Sequence, residues 1–238
     1  MLAPGEEAES FSVEDVRFAF VSAGPGEFTN LQLDSGFSES LRSPERWQRR
    51  RGLLSVLYWG FYTFGDTYAR GRVQRLVGPS NPAWHGIGDL ETLEQLDEAT
   101  RLLDLNDFGG AIAALSDISQ FGRTPFASKV IAFLRPESAG VYDNKIGEWL
   151  EGSRPLTNPR LEECLFSHFN RQLLCGGVGE VESIKIQYKY AAWCWFLQDC
   201  ARRLNALGAG FQWTDPFQGP HHWRALDVER AIFHALGP

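Results

Sequence analysis

Apolar positions recur three and four residues apart along most of the chain, which predicts a mostly α-helical protein. The segment 43–65, SPERWQRRRGLLSVLYWGFYTFG, reads as a helix with Ser43 as N-cap, Pro44 in its first turn and Gly65 as its stop. In segment 88–105, GDLETLEQLDEATRLLDL, the leucines at 90, 93, 96, 102 and 103 follow a helical period. A short buried helix is expected in DFGGAIAALSDISQ (107–120), and a second helix in TPFASKVIAFL (124–134), with Thr124 as N-cap, Pro125 at N1 and an end before Pro136. Asp143 opens DNKIGEWL as a cap, and TNPRLEECLFSHFNRQLLCGG (157–177) is bracketed by Asn158-Pro159 and Gly176-Gly177. The longest helix is expected within 182–210, where Ile184, Tyr188, Ala191, Trp195 and Leu204 share a face, and a last one in DVERAIFHALG with Asp227 as cap. Residues 13–36 leave room for short strands, and Gly24-Pro25-Gly26 and Asn81-Pro82 mark loops. No internal repeat or low-complexity segment is present. The pattern implies one helical domain over 1–238, with helical lobes flanking a cleft.

One position in this pattern stands out. Segment 124–134 places its one charged residue, Lys129, among mostly apolar ones, and Asp143, in the pair Tyr142-Asp143, follows fourteen residues after Lys129. A lysine on a helix ordinarily carries its ammonium out to solvent, and an aspartate before a helix is ordinarily a cap. The same two groups also suit another chemistry. An amine in an apolar pocket loses its proton more readily and becomes a nucleophile, and a nearby carboxylate can steady developing positive charge. That pairing fits imine formation at an anomeric carbon, and the residue types alone leave both readings open.

Composition narrows the setting. Hydrophobic residues make up 43% of the chain and aromatic residues 13%, enough for a sizeable core and against disorder. No apolar run reaches the roughly 18 residues of a membrane span, and the N-terminus lacks a basic start and an apolar stretch, so a cytoplasmic location is expected. Cys164, Cys175, Cys194 and Cys200 form no C-x-x-C pair, so they read as buried thiols; no metal or other cofactor is expected. The net charge of −7 argues against a general nucleic-acid binder. Between Arg42 and Arg75, however, eight arginines face only Glu45 and Asp66, a local charge of +6.

The thirty residues DISQFGRTPFASKVIAFLRPESAGVYDNKI (117–146) resemble the helix–hairpin–helix DNA glycosylases, and among them the 8-oxoguanine type. The resemblance rests on a glycine-containing hairpin at Gly122, a following helix with Lys129 near its start, and Asp143 opening the next helix. WRALDVERAIF also looks like the end of compact prokaryotic proteins of this type. The hairpin departs from the family's usual leucine-proline-glycine pattern, reading FGRTPFA, and the interval from Lys129 to Asp143 is shorter than in the eukaryotic enzymes.

The resemblance implies a core at about 108–150 and a partner in double-stranded DNA carrying a modified base. It also implies a base-excision reaction in which Lys129 is the Schiff-base nucleophile and Asp143 the essential carboxylate, with possible strand-breaking lyase activity. The modified base would be 8-oxoguanine or a hypermodified phage base such as glucosylated hydroxymethylcytosine, in repair or anti-phage defence. A monomer is expected. Phosphate contacts would fall to backbone N–H groups of Gly122–Phe126, to Gly122, Arg123 and Thr124, to Asn144 and Lys145, and to Arg49, Arg50 and Arg51. Candidates to stack on or read a flipped base are Trp59, Tyr62, Trp195, Asp215 and His221. Two other classes stay open: a non-catalytic helix–hairpin–helix DNA-binding module, and a helical protein-interaction domain.

Overall fold

The computed structural model describes residues 30–62, 64–77, 90–118, 120–156, 162, 165–167, 169–175, 179–208, 213–215 and 219–237. Nine α-helices, a 3-10 turn at Arg171–Leu173 and one short hairpin make up the regular structure among them. The helices are α1 (Asn30–Arg42), α2 (Arg46–Tyr62), α3 (Asp66–Val77), α4 (Leu90–Asp104), α5 (Phe108–Ala113), α6 (Thr124–Leu134), α7 (Asn144–Leu150), α8 (Ile184–Ala206) and α9 (Ala225–Ala235). Strands β1 (Trp213–Asp215) and β2 (Gly219–His221) pair antiparallel between α8 and α9, with Trp213 opposite His221. The class is therefore mostly α.

Helix α6 is the centre of the molecule. Every residue from Ala127 to Leu134 is buried, with α1, α2, α4 and α5 packed around it. Helix α8 lies on α5 and α9. One apolar cluster runs from Phe37 to Leu236 through the described residues.

Several boundaries differ from the sequence reading, each for a local reason. Residues 30–36 belong to helix α1, not to strands, and its Leu33, Phe37 and Leu41 pack as a stripe spaced by four. Ser43 does accept the Glu45 N–H at 3.1 Å, but the regular helix starts only at Arg46. Gly65 ends the first arm of the corner in the left-handed region, at φ +95°. The helix expected in 107–120 is confined to Phe108–Ala113, capped by Asp107, and turns follow. In the segment leading to α6, the left-handed residue is Gln120 (φ +73°), while Gly122 is needed for closeness: a Cβ there would sit 3.1 Å from the Ser116 carbonyl oxygen.

The expected N-cap of α6 is displaced by one residue. Arg123 occupies the cap position, and the Thr124 hydroxyl instead donates to the Gly179 carbonyl at 2.7 Å. Asp227 is not the cap of the last helix either. It sits one turn inside α9, where its carboxylate accepts the Arg224 N–H in a capping box. The loops expected at 24–26 and 81–82, residues 13–29, and residues 157–161, 163, 164, 168, 176 and 177 of the helix expected in 157–177 lie outside the described residues; within the rest of that segment Arg171–Leu173 form a 3-10 turn.

Helix α9 is locked into place by charge. Asp34 of α1, 1% exposed, receives Arg230 at 2.6 and 2.9 Å and Arg224 at 2.6 Å. The N–H groups of Ala225 and Leu226 donate to the carbonyls of Glu137 and Pro136. The start of α9 is thereby docked on the turn that follows α6, and this docking carries one further residue into the site.

Candidate active site

Lys129 lies one turn into α6 and is 8% exposed. Its Nζ donates to the Pro125 carbonyl at 2.9 Å, 5.3 Å from the Phe126 ring centre and 5.9 Å from that of Trp59. The helix α2 backbone approaches closely here, because Gly60 has no side chain: a Cβ would meet Phe126 Cε1 at 2.7 Å and Lys129 Cδ at 3.3 Å. Lys129 therefore does not snorkel to solvent. Burial pulls its pKa below the ordinary lysine value, and the nearby Asp143 and Glu229 carboxyls oppose that pull. Among the described residues Lys129 makes no salt bridge, so these carboxyls act on it across a gap.

Asp143 caps α7, accepting the Ile146 N–H at 3.0 Å, and is half-buried. Its position relative to Lys129 is set by the residue next to each. The Ser128 hydroxyl accepts the Tyr142 N–H at 3.0 Å. Side chains of α8 then satisfy the backbone that connects α6 to α7. Gln198 donates to the Ser138 carbonyl at 2.9 Å, Tyr190 to Gly140 at 3.3 Å and Trp193 to Val141 at 3.0 Å. The Tyr142 hydroxyl donates to the Leu174 carbonyl. A non-regular segment is buried here only because every one of these carbonyls has a side-chain donor.

Glu229 completes the cluster, and sequence reading missed it. It is 4% exposed, and no hydrogen bond to its carboxyl is present among the described residues. Burial pushes its pKa up to about 8; Arg230 opposes this, Asp143 pushes the same way, Lys129 opposes it and Asp34 adds to it. A signal for Glu229 was present: it falls in phase with the buried stripe Ala225, Ile232 and Leu236 of α9. The close approach that brings it in depends on Gly140, where a Cβ would lie 2.4 Å from Leu197 Cδ1 and 2.9 Å from Glu229 Cβ. Gly140→Ala is therefore expected to cost about 1–3 kcal/mol through overpacking and to push α9 off the site. Urea denaturation measures that loss.

Comparison with family models, curated proteins and solved structures finds no match to this chain.

Of the expected site residues, the structure brings Lys129, Asp143 and Trp59 together. Others are elsewhere or already engaged. Thr124 is buried, with its hydroxyl and N–H both bonded to Gly179, which corrects the expectation of a phosphate contact there. The expected backbone anion site is largely filled: the Phe126 and Ala127 N–H groups bond back to Arg123, and Gly122 pairs through its carbonyl with Val181. Arg123 is exposed beside Glu180 at 3.4 Å, and Asn144 is exposed at the start of α7. Lys145 donates to the Gly237 carbonyl and sits over the Phe233 ring, holding the end of α9. Arg49 is a tie between helices, bonded to Asp97 at 2.6 Å and to the Leu93 carbonyl of α4. Arg50 and Arg51 are half-buried on that same half of α2, more than two turns before Trp59.

Trp195 is 53% exposed, on the face of α8 opposite the Trp193 that stitches Val141. Asp215 and His221 lie in the β1–β2 hairpin between α8 and α9. Tyr62 is exposed at the end of α2 beside Tyr58.

Proposed function

We propose that this chain is a DNA glycosylase that excises a modified base from a flipped-out nucleotide, with Lys129 as nucleophile and Asp143 as the carboxylate that steadies the sugar. The observation that carries this reading is the buried Lys129 amine, hydrogen-bonded among the described residues only to the Pro125 carbonyl, set beside a helix-capping aspartate and tied to it through Ser128 and Tyr142. The resemblance of segment 117–146 to the helix–hairpin–helix glycosylases supplies the reaction class. Burial favours the neutral amine, the form that attacks.

In this mechanism the Lys129 nitrogen lone pair forms a bond to C1′ as the C1′–N bond to the base breaks, and the leaving base takes that electron pair. Asp143 offers its negative charge to the oxocarbenium-like sugar in between. The resulting N,O-acetal then opens: the nitrogen gives up a proton and forms C=N as the C1′–O4′ bond breaks and O4′ takes up a proton, leaving an imine from which β-elimination can break the strand. Capping and charge stabilisation are compatible in Asp143, because the cap uses Oδ1.

The test is base release and borohydride trapping across a panel of duplexes: 8-oxoguanine, other oxidised or alkylated bases, and phage DNA with glucosylated hydroxymethylcytosine. A covalent adduct on at least one duplex supports the reading; release from none, under conditions where the protein is folded, overturns it. Asp143→Asn separates the two roles of the aspartate. Asparagine caps a helix about as well as aspartate, so the fold is expected to persist in a thermal melt. Base release is expected to fall by about a hundredfold or more with the lost charge.

A further inference from the structure

The corner between α2 and α3 exposes an unusual amount of aromatic surface. Tyr62, Phe64 and Tyr68 are 41%, 71% and 45% exposed. Their rings do not stand apart. Phe64 meets Tyr68 at 5.3 Å between centres, and Tyr68 meets Phe61 at 6.1 Å. Phe61 in turn meets Phe126 at 4.7 Å, and the Lys129 amine lies 5.3 Å from the Phe126 ring. Ring contacts thus form a strip from the open surface, through Phe61, itself only 6% exposed, to the Phe126 ring beside the buried amine. Arg72 lies over the Phe61 ring at 4.8 Å, and Arg70 is paired with Asp66 at 2.8 Å.

Exposed rings of this size are costly on a surface with nothing to cover them, so a partner surface is implied. Two features choose its chemistry. The Arg72 guanidinium lies among the rings, within an arginine-rich stretch of an otherwise acidic chain. That combination fits planar aromatic rings on a polyanion: bases stack on the side chains while the guanidinium faces phosphates. The strip also ends at an amine suited to attack on a sugar. We propose that the exposed rings of the α2–α3 corner are a stacking platform for unpaired nucleobases of a DNA strand, at the outer end of the ring contacts that reach Lys129. The inference rests on the proposed glycosylase reading for the identity of the strand. It moves the DNA-contacting part of the arginine cluster from Arg49, which is engaged with α4, to Arg72.

The probe is a fluorescein-labelled single-stranded oligonucleotide of about a dozen nucleotides, titrated with the full chain at several salt concentrations. Phe64→Ala/Tyr68→Ala changes only exposed rings, so the fold is expected to persist. Its affinity is expected to fall about tenfold or more while the salt slope stays the same, because rings and not charges were removed. Phe64→Trp is expected to keep or strengthen binding. Unchanged affinity in the double variant overturns the inference. So does a wild-type dimer that the double variant converts to monomer without loss of DNA affinity, since the corner is then a protein interface. The two readings fail separately. Strand binding through the corner with no base released from any duplex overturns the glycosylase and leaves the platform standing. Base release undiminished in the double variant overturns the platform and leaves the glycosylase standing.

Discussion

Lys129→Ala is expected to abolish the borohydride-trapped adduct and to lower base release by at least about a thousandfold, while the protein still binds DNA. A nucleophile has no substitute when the bond it forms is the reaction, and removing one usually costs as much as removing its whole site. The pocket reinforces this. Trp59, Phe126 and Gly60 close around the lysine stem, so no neighbouring amine takes its place. Lys129→Met is the cleaner companion, because it fills the same space without charge and avoids a cavity. Lys129→Arg is also expected to be inactive, since a guanidinium keeps its proton. The pH profile adds a sharper check. Burial lowers the Lys129 pKa, so wild-type activity is expected to rise with pH and level off below the ordinary lysine value of 10.5. Trapping that survives Lys129→Met assigns the nucleophile elsewhere.

Glu229→Gln is expected to stabilise the protein, and by an amount that depends on pH. The unfolded carboxyl has its ordinary value of 4.5, and the folded one is raised to about 8. Between these values the folded state binds more protons than the unfolded state, so stability falls as pH rises from 4.5 to 8 and is level beyond. At about 1.4 kcal/mol per unit, holding this carboxyl in place costs on the order of 3 kcal/mol at pH 7. Glutamine has nearly the same shape and no such penalty. Its advantage should be absent near pH 4.5, grow through neutrality and reach its limit near pH 8. Urea denaturation at several pH values reads this directly, and a difference that does not vary with pH would mean that Glu229 ionises as an exposed carboxyl does. Lys129 works with the opposite sign: its lowered pKa weakens folding at low pH, and the loss is recovered as pH rises toward 10.5. Two buried ionisable groups, each costly to the fold, are retained side by side, as expected where function has been favoured over stability.

The helical class and most elements were legible from periodicity, because burial imposes a 3.6-residue rhythm on any helix with one face to the core. The longest helix lies within the expected 182–210, as Ile184–Ala206. Asp143 as a cap was legible for a similar reason: an N-cap needs only its own helix, and its hydrogen bond is local. The caps assigned to Thr124 and Asp227 failed because in each case another partner competed for the side chain. Gly179 took the Thr124 hydroxyl, and the Arg224 backbone and guanidinium took the Asp227 carboxylate. The arginine cluster was misleading in the same way. Counting charge along the chain cannot separate Arg49, spent on Asp97 and Leu93 across 44 to 48 residues, from Arg72 at an aromatic corner.

The sequence by itself determined that the chain is mostly helical, that a single lysine interrupts the most apolar helix, and that an aspartate caps the helix after it. These are local facts, carried by spacing and by side chains acting within a turn of their own backbone. Only the tertiary structure decided that the lysine is buried and not extended to solvent, because that depends on α1, α2, α4 and α5 enclosing α6 on all sides. Only the structure brought Glu229 to it, from a hundred residues away, through the docking of α9 on Pro136 and Glu137 and the bare backbone of Gly140. Desolvation and long-range Coulomb interaction set the chemistry of a buried amine, and both are properties of how elements pack.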